Sequence, residues 1–252
     1  MIGDWILSDS LLECPTCRRG ALAGNGGRLV CASCNDAFPV VGRIGQFQRR
    51  FDDYSENYDQ ICADDVVMPK TPGVVKQRLA ELVTPRARRL VCDLGCGDGY
   101  VVRRVASSRR VAVDIAKGYL ELLPADVVAL WSRVEDVPLR AGSVDTVVCT
   151  DVLEHVLDAG ALAAEIDRLL AQDGAALLAF PYEQDLGVYE LPEYRAKYGK
   201  YRYVHLRSID DELVAGLFPD FEIVSQELIT EHMPLMEFKP FAIKFVELLR
   251  RR

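Results

Sequence analysis

The stretch Val91-Cys-Asp-Leu-Gly-Cys-Gly-Asp-Gly-Tyr100 decides the fold. An apolar run ends in a glycine-rich turn, and a helix-compatible segment, about Gly99–Ala106, follows. A second apolar run, Val111-Ala-Val-Asp114, ends in an acid 21 positions after Asp93. That order is the layout of a nucleotide-type cofactor site on a doubly wound α/β sheet. Gly95, Gly97 and Gly99 allow tight backbone angles and let main chain approach a ligand. A carboxylate at 114 suits a ribose diol, because it accepts hydrogen bonds from two neighbouring hydroxyls.

Spacing and charge narrow the cofactor. Dinucleotide loops read G-x-G-x-x-G and aim a helix N-terminus at a pyrophosphate. Here the spacing is G-x-G-x-G, and Asp93 and Asp98 flank the loop. Two carboxylates repel a pyrophosphate and suit a ligand bearing an ammonium and a sulfonium. On these residues the chain resembles the class I S-adenosylmethionine-dependent methyltransferases, of the type 11 kind, whose first motif is matched by DLGCGDGY. The resemblance implies an α/β Rossmann-like fold with a mostly parallel, doubly wound, seven-stranded sheet. It implies S-adenosylmethionine as cofactor and S-adenosylhomocysteine as product. It places Asp93, Gly95, Cys96, Gly97, Asp114 and Ile115 around that cofactor, with Cys96 serving as a small residue in the loop.

Composition agrees with one large domain and a small one: 252 residues, half of them hydrophobic. No apolar run reaches membrane-spanning length, and no signal-peptide core follows Met1, so a cytoplasmic protein is expected. A net charge of −8 weighs against a broad phosphate-binding surface. Eight cysteines in a cytoplasmic chain argue against disulfides.

Four of those cysteines form Cys14-Pro-Thr-Cys17 and Cys31-Ala-Ser-Cys34. Two such knuckles joined by a hairpin, Ala21–Leu22 with Arg28–Cys31 across Gly24-Asn25-Gly26-Gly27, supply four thiolates for a tetrahedral Zn²⁺. Four cysteines close the metal's shell, so the zinc is structural. The segment from Leu11 to Phe47 resembles the zinc-ribbon family that activates tRNA and translation-factor methyltransferases, and the resemblance implies a ribbon that packs on a catalytic domain and steadies it. The expected division is residues 1–48 for the ribbon and 49–252 for the methyltransferase domain. The six arginines of residues 1–50 are balanced by Asp4, Asp9, Glu13, Asp36 and the charge of a Zn(Cys)4 centre, a poor grip for RNA.

Beyond the ribbon, Phe51-Asp-Asp-Tyr54-Ser-Glu-Asn-Tyr58-Asp59 resembles the opening helix of small-molecule methyltransferases, where the second aromatic, here Tyr58, closes over the cofactor. Met68–Gly73 breaks the pattern as a loop, and Val74–Leu82 reads as a helix. A short strand, about Asp126–Leu130, precedes the segment Ser132–Val156, which resembles the family's block containing the adenine contacts. By that resemblance Arg133, Val134 and Glu135 lie at the adenine. Arg133 stands where the family has an acid, and a guanidinium cannot accept a hydrogen bond from an amine. Either Glu135 or Asp136 substitutes, the contact is lost, or Arg133 stacks on the ring. Thr150 and Asp151 fall at a strand's carboxyl end, where such sheets bind ligands. The run from Val152 to Val156 is expected to open a helix, followed by helix Ala161–Leu170 capped at Asp173-Gly174 and strand Ala175–Phe180.

The tyrosine-rich segment 182–207 leaves the sheet where an acceptor lid would. His205, then His155, with Tyr182 and Glu183, are the candidate catalytic residues, each also readable as structural. His205 precedes helix Asp210–Leu217. Phe221–Thr230 reads as a late strand, His232 as peripheral, and Lys239–Arg252 as an amphipathic end. The expected reaction is methyl transfer to a small-molecule acceptor, with oxygen slightly preferred over nitrogen or carbon and natural-product tailoring as the setting. The alternatives are rRNA or tRNA base methylation, and a non-methylating S-adenosylmethionine-binding enzyme or scaffold. The chain could act alone or as a homodimer; no membrane partner is expected, and nucleic acid is disfavoured.

Overall fold

The computed structural model describes residues 2–48, 52–64, 73–107, 109–182, 186–201, 205–231 and 241–251. In chain order the strands are β1 (Leu22–Asn25), β2 (Arg28–Cys31), β3 (Ala37–Val41), β4 (Ile44–Gln46), β5 (Leu90–Leu94), β6 (Arg109–Asp114), β7 (Val127–Trp131), β8 (Val144–Thr150), β9 (Leu170–Pro181), β10 (Phe221–Glu231) and β11 (Phe241–Arg250). The helices are α1 (Asp4–Ser8), α2 (Asp53–Cys62), α3 (Val74–Val83), α4 (Lys117–Glu121), α5 (Ala159–Leu169), α6 (Pro192–Tyr198) and α7 (Asp211–Leu217).

Seven strands form the expected core in the order β7-β6-β5-β8-β9-β11-β10. β5 through β9 run parallel, and β11 enters antiparallel between β9 and β10. β5 is buried along its whole length, as a strand covered on both faces must be. The sheet does not stop at seven. β4 pairs in parallel with β7, Ile44 opposite Ala129, and β1–β3 continue outward to give eleven strands. The ribbon is therefore an extension of the catalytic sheet. Leu22, Leu29 and Phe38 of the ribbon share one core with Leu130, Val137 and Leu139.

Several local expectations change. The hairpin strand β1 runs to Asn25, and only Gly26 and Gly27 turn, both with positive φ (54° and 80°). Residues 101–104 form turns rather than a helix. The β-branched Val101, Val102 and Val105 are poor helix formers and are instead buried. Residues 153–155 also form a turn, and α5 begins only at Ala159, where the Asp158 carboxylate accepts from the Ala161 N–H at 2.9 Å. Asp173 and Gly174 lie inside β9 rather than capping a helix. The amphipathic end is strand β11, paired on its two edges with β9 and β10. Phe51, most of the loop from Met68, Glu183 and His232 fall outside the described residues.

Candidate functional site

The site lies at the carboxyl ends of β5, β6 and β8. After β5 the loop takes φ of +69° at Gly95, +50° at Gly97 and +72° at Gly99. A Cβ at Gly95 would stand 2.4 Å from Val152 Cγ2, whereas one at Gly97 would meet nothing within 4 Å. Gly95 thus lets the loop pack, and Gly97 faces open space. Asp114, at the end of β6, organises this loop. Its Oδ2 accepts from the Gly97 N–H at 2.9 Å and its Oδ1 from the Ala116 N–H at 2.8 Å. Each oxygen keeps a second lone pair for a ligand hydroxyl. Ile115 offers its carbonyl to Trp131 Nε1 at 2.7 Å, tying the ends of β6 and β7 together.

Burial dominates the electrostatics. Asp93 and Asp114 are almost wholly buried. Burial, with the charge of Asp114 added, pushes Asp93 up to about 7. Burial pushes Asp114 up to about 6 against the pull of the N–H groups of Ala116, Gly97 and Ile115. Asp93 Oδ1 has no hydrogen-bond partner among the described residues. Two buried carboxylates beside an open glycine cradle fit a cationic cofactor carrying a diol, the donor set that S-adenosylmethionine presents. Asp98 turns away from that cradle: it accepts from the Tyr100 N–H at 3.1 Å and pairs with Lys76 at 3.3 Å. Cys96 is buried in the loop.

After β7, Arg133 pairs with Asp52 and lies 5.3 Å from the Tyr54 ring centroid. Asp52 is the N-cap of α2, accepting from the Ser55 N–H at 3.0 Å, so Arg133 anchors that helix beside the loop. Asp52 was not legible as a site residue, although an acid before a helical run is a cap signal. Asp136 is engaged by Arg18 of the ribbon. Val134 is buried, and burial raises Glu135 above the usual carboxylate range.

On the opposite side, Tyr58 packs 5.0 Å from Tyr54 and 5.9 Å from His155, ring to ring. Burial, with Tyr54, Glu154 and Asp114 contributing, raises the Tyr58 phenol well above its ordinary value. His155 and His205, fifty positions apart in sequence, stand with ring centroids 5.0 Å apart. A backbone latch brings them together. The Leu206 N–H donates to the Glu154 carbonyl at 2.8 Å, and Arg207 donates to the carbonyls of Leu153 and Val156 at 2.7 and 2.6 Å. Tyr189 Oη lies 2.5 Å from His205 Nδ1. Tyr189 sits in the segment read as a lid, which carries a short 3₁₀ turn, Gly187–Glu190, and α6. Lys200 pairs with Asp64 beyond the end of α2 at 2.7 Å. Asp151 follows β8 with φ +55°. Tyr182, half-buried after β9, takes Lys244 over its ring at 5.0 Å, while Thr150 closes β8.

At the other end of the sheet the four ribbon thiols converge. Cys14 Sγ lies 3.7 Å from Cys34 Sγ, Cys17 Sγ lies 3.6 Å from Cys31 Sγ, and all four atoms lie within 4.8 Å of one another. Zn–S bonds of about 2.3 Å in a tetrahedron put sulfurs roughly 3.8 Å apart, so the cluster fits that ion.

Residues 92–178 match the family described as methyltransferase domain. A Mycobacterium tuberculosis protein named "Probable S-adenosylmethionine-dependent methyltransferase" is 36% identical over 117 residues, 43% of this chain and 40% of that protein. The ubiquinone biosynthesis O-methyltransferase of Psychrobacter arcticus is 30% identical over 105 residues, 37% of this chain and 41% of that protein. The chain spans less than half the length of these curated relatives. A solved complex between the Haloferax volcanii Trm112 methyltransferase activator and a methyltransferase aligns with a TM-score of 0.62 at 18% identity, covering 81% of this chain and 100% of that one. Residues 92–178, with their glycine loop and Rossmann-like sheet, thus form a methyltransferase-type domain, and the Mycobacterium relative they resemble is named for S-adenosylmethionine-dependent methyl transfer.

Proposed function

We propose that this chain transfers the methyl group of S-adenosylmethionine to an oxygen of a small-molecule acceptor. The observation that carries the reading is the pair of buried, raised carboxylates, Asp93 and Asp114, around the open Gly97 position. Asp114 would hold the ribose diol, and the loop 95–97 with Ile115 would line the nucleoside. Asp93 would face the cationic end, with Tyr58, Thr150 and Asp151 beside it. Arg133 and Asp136 are engaged elsewhere, so Glu135 and the backbone at Val134 are left for the adenine. The bound cofactor supplies an activated methyl; the protein aligns the acceptor and excludes water. His205, His155 and Tyr182 would line the acceptor side, under the segment 182–207, where a hydroxyl acceptor loses its proton.

Residues 1–48 would hold a structural Zn²⁺ through Cys14, Cys17, Cys31 and Cys34. A small acceptor is favoured over RNA because several arginines of the stretches 86–89 and 103–110 are paired with acids of the same chain. Arg86 pairs with Glu247, Arg89 with Asp145, Arg109 with Asp9 and Arg110 with Asp126. Incubating the chain with methyl-labelled S-adenosylmethionine and panels of phenols, alcohols and tRNA tests the reading. Labelled product and S-adenosylhomocysteine are expected with a hydroxylated small molecule. Label in RNA alone, or binding with no methyl transfer to any acceptor, would overturn it.

A further inference from the structure

We propose that Glu154, His155 and His205 form a second divalent-cation site that holds the acceptor; this deepens the methyl-transfer reading and rests on it. The three side chains offer ligand atoms that all lie within 4.8 Å of one another, with Glu154 Oε1 3.7 Å from His155 Nε2. Bonds of about 2.1 Å to a tetrahedral ion need donors about 3.4 Å apart, a closure of up to about 1.4 Å at the longest edge. Two imidazoles and a carboxylate are the donor set of borderline divalent ions such as Zn²⁺, Fe²⁺ and Mn²⁺, and three protein ligands leave a position open.

The surroundings are those of a built site. Glu154 is 1% exposed, so an ion held there would meet a carboxylate shielded from water. In that reading the cofactor's cationic end answers Asp93 and its diol answers Asp114; Glu154 stands with the histidines, its Oε1 3.7 Å from His155 Nε2. Tyr189 engages Nδ1 of His205, which assigns Nε2 to the ion and fixes the ring, as outer-sphere partners of metal-bound histidines do. The Leu206 and Arg207 latch fixes the chain segment carrying His205 against the one carrying Glu154 and His155. Asp151 adds a further carboxylate near His205.

The acceptor class follows from the open position: a hydroxylated molecule able to chelate, with oxygen donors. A hydroxyl on the ion loses its proton to solvent near neutrality. Its oxygen lone pair forms the new O–CH₃ bond while the C–S bond breaks and its electrons remain on sulfur. The products are a methyl ether and S-adenosylhomocysteine.

The test uses the full chain with zinc in the ribbon, titrated with Co²⁺ and followed by visible absorption and metal analysis. One further equivalent is expected, with a nitrogen–oxygen spectrum free of thiolate charge transfer. Glu154→Gln, His155→Ala and His205→Ala should each abolish it. Tyr189→Phe should weaken it on the order of tenfold. His205→Gln substitutes where the alanine variant fails to fold. No equivalent beyond the ribbon's, or one that persists in all the variants, overturns the proposal. Calorimetry of S-adenosylhomocysteine on the same samples separates the two ideas. Retained cofactor binding without the second cation removes only this site, and absent cofactor binding removes the methyltransferase reading itself.

Discussion

Cofactor affinity should depend steeply on pH, with a slope set by Asp93 and Asp114. In the free protein these carboxyls are raised from 3.8 to about 7 and about 6. Each raised unit is about 1.4 kcal/mol, so ionising the buried pair costs the free fold roughly 4 and 3 kcal/mol. Both folded values lie above the unfolded one. Their contribution to stability is therefore fully present below about pH 4 and is lost as pH rises through 6 to 7. A cationic ligand with hydroxyl donors reverses that loss, because it binds the ionised forms. If binding draws both values below about 5, affinity at pH 5.5 should be on the order of 100-fold weaker than at pH 7.5. Calorimetry across that window, in buffers of different ionisation enthalpy, reads both the affinity and the protons released. Asp93→Asn should cut the change to under about tenfold. S-adenosylhomocysteine, which lacks the sulfonium charge, should show a shallower profile than S-adenosylmethionine. An affinity constant within twofold over the window would refute the assignment of these acids to the cofactor.

The two glycines of the loop should separate packing from binding. Gly95→Ala drives a Cβ to 2.4 Å from Val152 and should lower stability by about 2–3 kcal/mol in denaturant melts. Gly97→Ala meets open space and should cost only about 1 kcal/mol of backbone strain while weakening the cofactor more than the fold. Cys14→Ser should release zinc, read by metal analysis, and lower the melting temperature while leaving a cofactor site detectable by calorimetry. Glu165→Ala should cost about 2–3 kcal/mol in denaturant melts, because it strips the Val137 N–H and Arg168 of their buried carboxylate partner at 2.7 Å. An unchanged midpoint would show that this carboxylate does not hold α5 to the segment at Val137.

What the sequence made legible is local. The glycine spacing and the acid at 114 specify a loop in which neighbouring residues make the geometry, and four cysteines in two tight pairs specify a cluster in the same way. What stayed hidden depends on distant partners. Nothing near Ile44 announces that β4 will pair with β7, since a three-residue strand carries almost no pattern. The segment after Gly99 reads as helical by position, yet burial of its valines overrides that reading. Arg133 has a partner, Asp52, that lies 81 positions upstream, so its engagement there could not be read from its own neighbourhood. Tyr189, Glu154 and His205 converge only through the Leu206–Arg207 latch, a main-chain contact with no side-chain signature beyond Arg207 itself.

The most direct test of the account is calorimetry of S-adenosylhomocysteine on the wild-type chain and on Asp114→Ala at pH 7.5. The account expects one site per chain, weakened by about 1–3 kcal/mol in the variant through lost hydroxyl hydrogen bonds. A wild-type chain that binds no cofactor, or a variant that binds it equally well, would contradict it.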